Sequence, residues 1–121
     1  MIHTFRRHLL DRFVLRPSRH TIEYAPKQRV VATIDGTKHE YFVERLNRVD
    51  PQQRDSRHPT LLILKFPGTA GRAERASGWP SAHLPNVDVK ICTWNAPGYG
   101  SSSGRATLTN IATGAVAFWE E

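Results

Sequence analysis

The sequence predicts an α/β fold on one mixed sheet: an opening β-hairpin, then strand, helix, strand, helix. Three observations carry this expectation. Residues 29–34 and 38–46 are both rich in β-branched and aromatic side chains and are separated by Asp35-Gly36, a pair that tolerates positive φ and suits a tight two-residue turn. Residues 60–66 form a continuous apolar run, the pattern of a strand covered on both faces. After a second apolar segment and a glycine-rich stretch, Leu108, Ile111, Ala112, Ala115, Val116 and Trp119 recur at the spacing of one helix face.

Each element follows in order. Residues 1–16 read as a short amphipathic helix, with Ile2, Phe5, Leu9 and Phe13 spaced by three and four, Arg6, Arg7, Arg12 and Arg16 around them, and Pro17 as its stop. An Arg-rich, acid-poor amphipathic start also resembles an organelle transit peptide; the reading adopted is a lead-in helix, so that residues 1–28 precede a domain over residues 29–121. After the hairpin, residues 48–59 are polar, contain two prolines and are expected to form a loop. The strand over 60–66 ends at Pro67-Gly68-Thr69-Ala70-Gly71, and residues 72–77 suggest a helical turn. Residues 87–94 form the next strand, residues 95–104 a loop, and residues 107–119 the last helix. A hairpin followed by alternating strand and helix implies a mixed sheet with right-handed crossovers. The final helix ends on Glu120 and Glu121 without a glycine cap, placing negative charge at the negative end of its dipole, and no strand follows; the chain is expected to stop mid-fold.

Composition excludes several classes. With 39% hydrophobic and 23% charged residues the chain is too apolar for a disordered segment. No apolar run approaches the ~20 residues of a membrane span, so no membrane partner is expected and the compartment expected is cytoplasmic. The single cysteine, Cys92, lies in an apolar stretch and reads as a buried inert thiol; no disulfide framework and no cysteine-based metal site can form. The net charge of +6 raises nucleic-acid binding, yet the 13 arginines are dispersed without interleaved aromatics, and no nucleic-acid partner is expected.

Three segments could carry chemistry. Gly100-Ser101-Ser102-Ser103-Gly104 matches G-x-S-x-G, the nucleophile elbow of serine hydrolases. That elbow needs its serine directly between strand and helix; here five residues intervene after Trp94, and no histidine follows Ser102. A triad of His83, Asp88 and Ser102 has the residue types but no supporting context. Gly98, Gly100 and Gly104 also resemble a dinucleotide-binding loop, with the third glycine one position too far and no ribose-binding acid on a following strand. The third segment is the turn Pro67-Gly68-Thr69-Ala70-Gly71, where small residues after a strand let backbone N–H groups point into a cleft and stabilise an oxyanion.

Together these segments, from Arg29 onward, resemble the N-terminal half of the α/β-hydrolase superfamily, in the serine esterase and peptidase-like branch. The family commonly writes the first turn as His-Gly, where this chain has Pro67-Gly68. It writes the later loop as Asp-x-Arg-Gly-x-Gly-x-Ser-x-Gly; Asn95 and Pro97 depart from this, while Gly98, Gly100, Ser102 and Gly104 fit. The resemblance implies a partial α/β-hydrolase sheet truncated before the nucleophile strand, with the 98–104 loop structural. It also implies Thr69 as the oxyanion donor through its backbone N–H, with Gly68 and Ala70 beside it. The complete enzyme would act on a small acyl substrate, an ester or amide, without cofactor or metal. The nucleophile, acid and base would be absent from this chain, which alone would be inactive and prone to self-association through an exposed sheet edge. Two other classes remain open: a nucleotide-binding module using the 98–104 loop, and a non-catalytic interaction protein.

Overall fold

The computed structural model describes residues 2–46, 59, 61–84 and 87–121. It is a mixed α/β structure: helix α1 (Ile2–Val14), strands β1 (Gln28–Ile34), β2 (Thr37–Leu46), β3 (Leu61–Lys65) and β4 (Val89–Asn95), and helix α2 (Leu108–Glu120). The loop expected over residues 48–59 lies outside the described residues except for Pro59.

The hairpin forms where its turn chemistry places it. Asp35 and Gly36 take φ of 50° and 78°, the double positive φ that matches the twist of two antiparallel strands. β1 pairs antiparallel with β2, from Gln28 opposite Val43 to Ile34 opposite Thr37. The sheet order is β1-β2-β4-β3, with β2 and β4 antiparallel and β3 and β4 parallel. A parallel pair needs a crossover connection. Here it contains two 3₁₀ turns, Ala73–Arg75 and Ser81–His83; the helical turn expected over residues 72–77 is the first of them.

Position in the sheet decides burial. β4 lies inside, and six of its seven residues are buried. β3, expected to be covered on both faces, is an edge among the described strands, with Leu61 37% and Leu62 55% exposed. Among the described strands it pairs only with β4, and its first two residues are left exposed.

The two sheet faces are covered differently. On one, Cys92 and Trp94 of β4 pack with Tyr41, Val43 and Leu64 beneath Ile111, Ala115 and Phe118 of α2. Here the helix departs from the expected face: Gly114 and Phe118 point inward, while Leu108, Val116 and Trp119 are exposed. Aromatic packing explains the rotation. Phe118 stacks on Trp94 at 5.9 Å and 10° and meets Tyr41 at 5.3 Å. A Cβ at Gly114 would stand 3.0 Å from the Trp94 ring, so the missing side chain is what lets the helix approach this close. On the opposite face, Phe42, Val89, Ile91, Thr93 and Asn95 are buried, with Tyr24 against Phe42 at 5.0 Å. Among the described residues no helix is long and apolar enough to cross a membrane.

Candidate functional site

The parallel strands β3 and β4 end side by side, and the segment leaving each runs over the same end of the sheet. In open α/β sheets ligands sit at the carboxyl ends of the strands, where loops diverge.

The loop after β4 rests on a buried polar network. The Asn95 side chain is its centre: Oδ1 accepts from the Ala73 N–H at 2.8 Å, and Nδ2 donates to Glu40 at 2.8 Å and to Glu74 at 2.7 Å. Two carboxylates this close require positive charge beside them. Arg72 forks onto Glu74, and Arg29 Nε donates to Glu40 at 2.6 Å. Burial pushes the Glu40 carboxyl up, but bonds from the Ser101 N–H, Asn95 and Arg29 outweigh it and hold the group below its usual value.

Ser102 belongs to this frame. It is 1% exposed, its hydroxyl donates to the Asn95 carbonyl at 2.5 Å and accepts from the Glu40 N–H at 2.9 Å. Among the described residues no proton-accepting histidine is a partner of Ser102. The other members of the sequence-level triad lie apart from it: Asp88 pairs with Arg45 at 2.6 Å, and His83 is exposed on its 3₁₀ turn. The loop amides are occupied as well. Gly100 N–H donates to the Ser18 carbonyl, Ser101 to Glu40, Ser102 to the Tyr99 carbonyl and Ser103 to the Lys38 carbonyl. Arg19 holds the opposite groups, donating to the carbonyls of Gly100, Ser102 and Gly104 at 2.9–3.1 Å. At the start of α2, Thr107 caps the Asn110 N–H and Asp11 of α1 accepts from the Leu108 N–H. A phosphate arriving at the centre of the 98–104 loop would find the amides of residues 99–103 already engaged, as are those of Leu108 and Asn110 at the helix start.

The turn after β3 is built the other way. Gly71 donates to the Gly68 carbonyl at 2.8 Å, closing it. The Thr69 carbonyl accepts from the Arg16 N–H at 3.1 Å and from the Tyr99 hydroxyl. A trans peptide is planar with C=O and N–H on opposite sides, so holding a carbonyl fixes the direction of the next amide. Anchoring the Gly68 and Thr69 carbonyls therefore orients the N–H groups of Thr69 and Ala70. Among the described residues the amides of Gly68, Thr69 and Ala70 have no protein acceptor, and all three residues are exposed.

The turn separates two clefts. Gly68 and Thr69 line one of about 300 Å³ whose remaining wall is mostly apolar, including Phe66, Trp94, Tyr99 and Leu108. Ala70 lines the other, about 480 Å³, with Lys65, Arg72 and Trp79. Of the three expected donors, Gly68 and Thr69 thus share a cleft that Ala70 does not line. A further cleft, about 630 Å³, lies between α1 and the 104–107 segment.

Two further reactive side chains, His39 and Cys92, are committed to the core. His39 accepts from the Trp94 indole N–H at 3.2 Å, and burial lowers its pKa against an opposing pull from Glu121, so it is a neutral core histidine. Burial raises the Cys92 thiol pKa, opposed by Lys90, which keeps the thiol protonated and inert. Among the described residues no group of three His, Cys, Asp or Glu could hold a metal ion. Sequence reasoning missed Glu40, Glu74, Arg19 and Asp11. A carboxylate inside the apolar run of β2, beside Tyr41, Phe42 and Val43, was the available signal for the first.

Comparison with known proteins found no family model, no curated protein and no solved structure that matches this chain.

Proposed function

We propose that these residues are the N-terminal part of an α/β-hydrolase domain and supply one side of its oxyanion site, for hydrolysis of an ester or amide of a small acyl group. The observation that carries this reading is the turn after β3: oriented amides without protein acceptors, at the carboxyl end of a parallel strand pair, beside an apolar cleft. The Thr69 N–H, with Gly68 next to it, would bind the developing oxyanion, and the apolar wall of Phe66 and Trp94 would take the acyl chain. The hairpin leading into a mixed sheet in the order β1-β2-β4-β3 supports the same reading. The attacking serine and its histidine and acid would come from residues beyond these. In this reading the outer edge of β3 is where further strands pair, and leaving it uncovered promotes self-association. The 98–104 loop, with the amides of residues 99–103 engaged, supports the turn rather than a nucleotide in this reading.

The test is an amide NMR titration with butylphosphonate, a tetrahedral anion carrying a short alkyl chain. Shifts concentrated at Gly68 and Thr69, and lost in Thr69→Pro, are the expected result. Shifts centred on the 98–104 loop with AMP, and none at the turn, would contradict it. So would hydrolysis of a p-nitrophenyl ester by this chain that disappears in Ser102→Ala.

A further inference from the structure

We infer that α1 is an interfacial helix that seats the protein on an anionic lipid surface. An amphipathic helix that serves the fold turns its apolar stripe toward the core. α1 does the opposite. It is held from its polar side, where Asp11 accepts the Leu108 N–H of α2, and by the residues just after it: Leu15 is buried and the Arg16 N–H donates to the Thr69 carbonyl. Phe5, Leu9 and Phe13, four residues apart on one stripe, are left 67%, 39% and 75% exposed, with Leu10 and Val14 exposed beside them.

Charge names the occupant. Arg6, Arg12 and Arg16 are exposed, and among the described residues none has a carboxylate within ion-pair distance. The acid of the helix, Asp11, is already engaged at the start of α2. Arg12 also lines, with Arg105, the cleft between α1 and the 104–107 segment. Exposed phenylalanines rimmed by arginines match the boundary of an anionic bilayer, where rings enter the acyl region and guanidinium groups meet phosphates. An acidic, apolar groove on another protein would accept the same stripe, and binding that ignores vesicle composition is the result that would favour it. The lack of a membrane-spanning run does not bear on this arrangement: at 13 residues α1 is about 20 Å long and would lie in the surface rather than cross it.

Vesicle flotation of the full chain tests the inference. Vesicles of phosphatidylcholine and phosphatidylglycerol in equal parts should bind the protein at least roughly tenfold more tightly than phosphatidylcholine alone, and added salt should weaken that binding. Phe5→Ser with Phe13→Ser, and separately Arg6→Glu with Arg12→Glu, should each reduce binding by about tenfold or more with an unchanged circular dichroism spectrum. The altered side chains are exposed, so the fold does not depend on them, and the arginine pair reads out independently of the phenylalanine pair. Equal binding to neutral vesicles, or binding unaffected by either pair, overturns the inference. A lipid-free dimer that Phe13→Ser dissolves also overturns it, assigning the stripe to a second copy instead.

Discussion

The loop after β4 and the turn after β3 leave the same end of the sheet, yet the backbone amides at their centres have opposite fates. In the first, Gly100, Ser101, Ser102 and Ser103 all donate to protein acceptors, and Arg19 holds three of the loop carbonyls from the other side. In the second, the carbonyls of Gly68 and Thr69 are held while the amides of Gly68, Thr69 and Ala70 have no acceptor among the described residues. The difference teaches that the segment with the more catalytic-looking sequence is the frame, and the plainer turn is the part that can still bind something. The two are joined: Tyr99, from the framed loop, reaches the Thr69 carbonyl, so rigidity in one orients the other.

The largest effect should come from breaking the frame. Asn95→Leu leaves two buried carboxylates without the amide they share and the Ala73 N–H without its acceptor. A loss of about 3–5 kcal/mol in urea unfolding is expected, with Glu40 and Glu74 left under-compensated. A loss below about 1 kcal/mol would show that the network is not what holds the loop.

A smaller effect should follow acidification. The folded-state pKa of His39 lies below its usual 6.5, because burial disfavours the imidazolium. The unfolded chain therefore binds the proton first, so this contribution is complete above pH 6.5 and is lost as pH falls through the folded-state value. Glu40, whose folded-state pKa is also depressed, adds a second loss below its usual 4.5, by the same sign. Thermal melts across this range should show both steps, and His39→Phe should remove the upper one. A wild-type profile that is flat between pH 6.5 and 4.5 would contradict the buried neutral histidine.

The smallest effects should fall in the turn, and they should differ between neighbours. A Cβ at Gly68 meets nothing within 4 Å, so Gly68→Ala should change stability by no more than about 0.5 kcal/mol. A Cβ at Gly71 would stand 2.7 Å from the Pro67 Cβ and 3.1 Å from the Gly68 nitrogen, so Gly71→Ala should cost about 1–3 kcal/mol and disturb the amide directions. Equal costs at the two positions would mean that Gly71 is not packed against Pro67 as described.

Much of the fold was readable from local pattern. Asp35-Gly36 announces its hairpin because positive φ is a local property. The strands at 60–66 and 87–94 and the helix at 107–119 appear within a residue or two of their expected bounds. The failures were failures of context. The apolar run of β3 cannot report that Leu61 and Leu62 are left exposed, and apolar spacing in α2 favoured Val116 and Trp119 over Gly114 and Phe118. Nothing in the periodicity of that helix says that Trp94, fourteen residues before it begins, requires a glycine opposite its ring.

What the amino-acid sequence determined by itself is therefore the type and order of the elements and the glycine turn between the first two strands. Those follow from φ preferences and from side-chain periods of two and 3.6, which act between near neighbours. Tertiary structure alone decided which backbone amides remain available. That outcome depends on Glu40 reaching Asn95 from 55 residues away, and on Arg19 reaching Gly104 from 85 residues away. A hydrogen bond forms only where packing brings donor and acceptor to about 3 Å, and no local pattern along the chain encodes that distance.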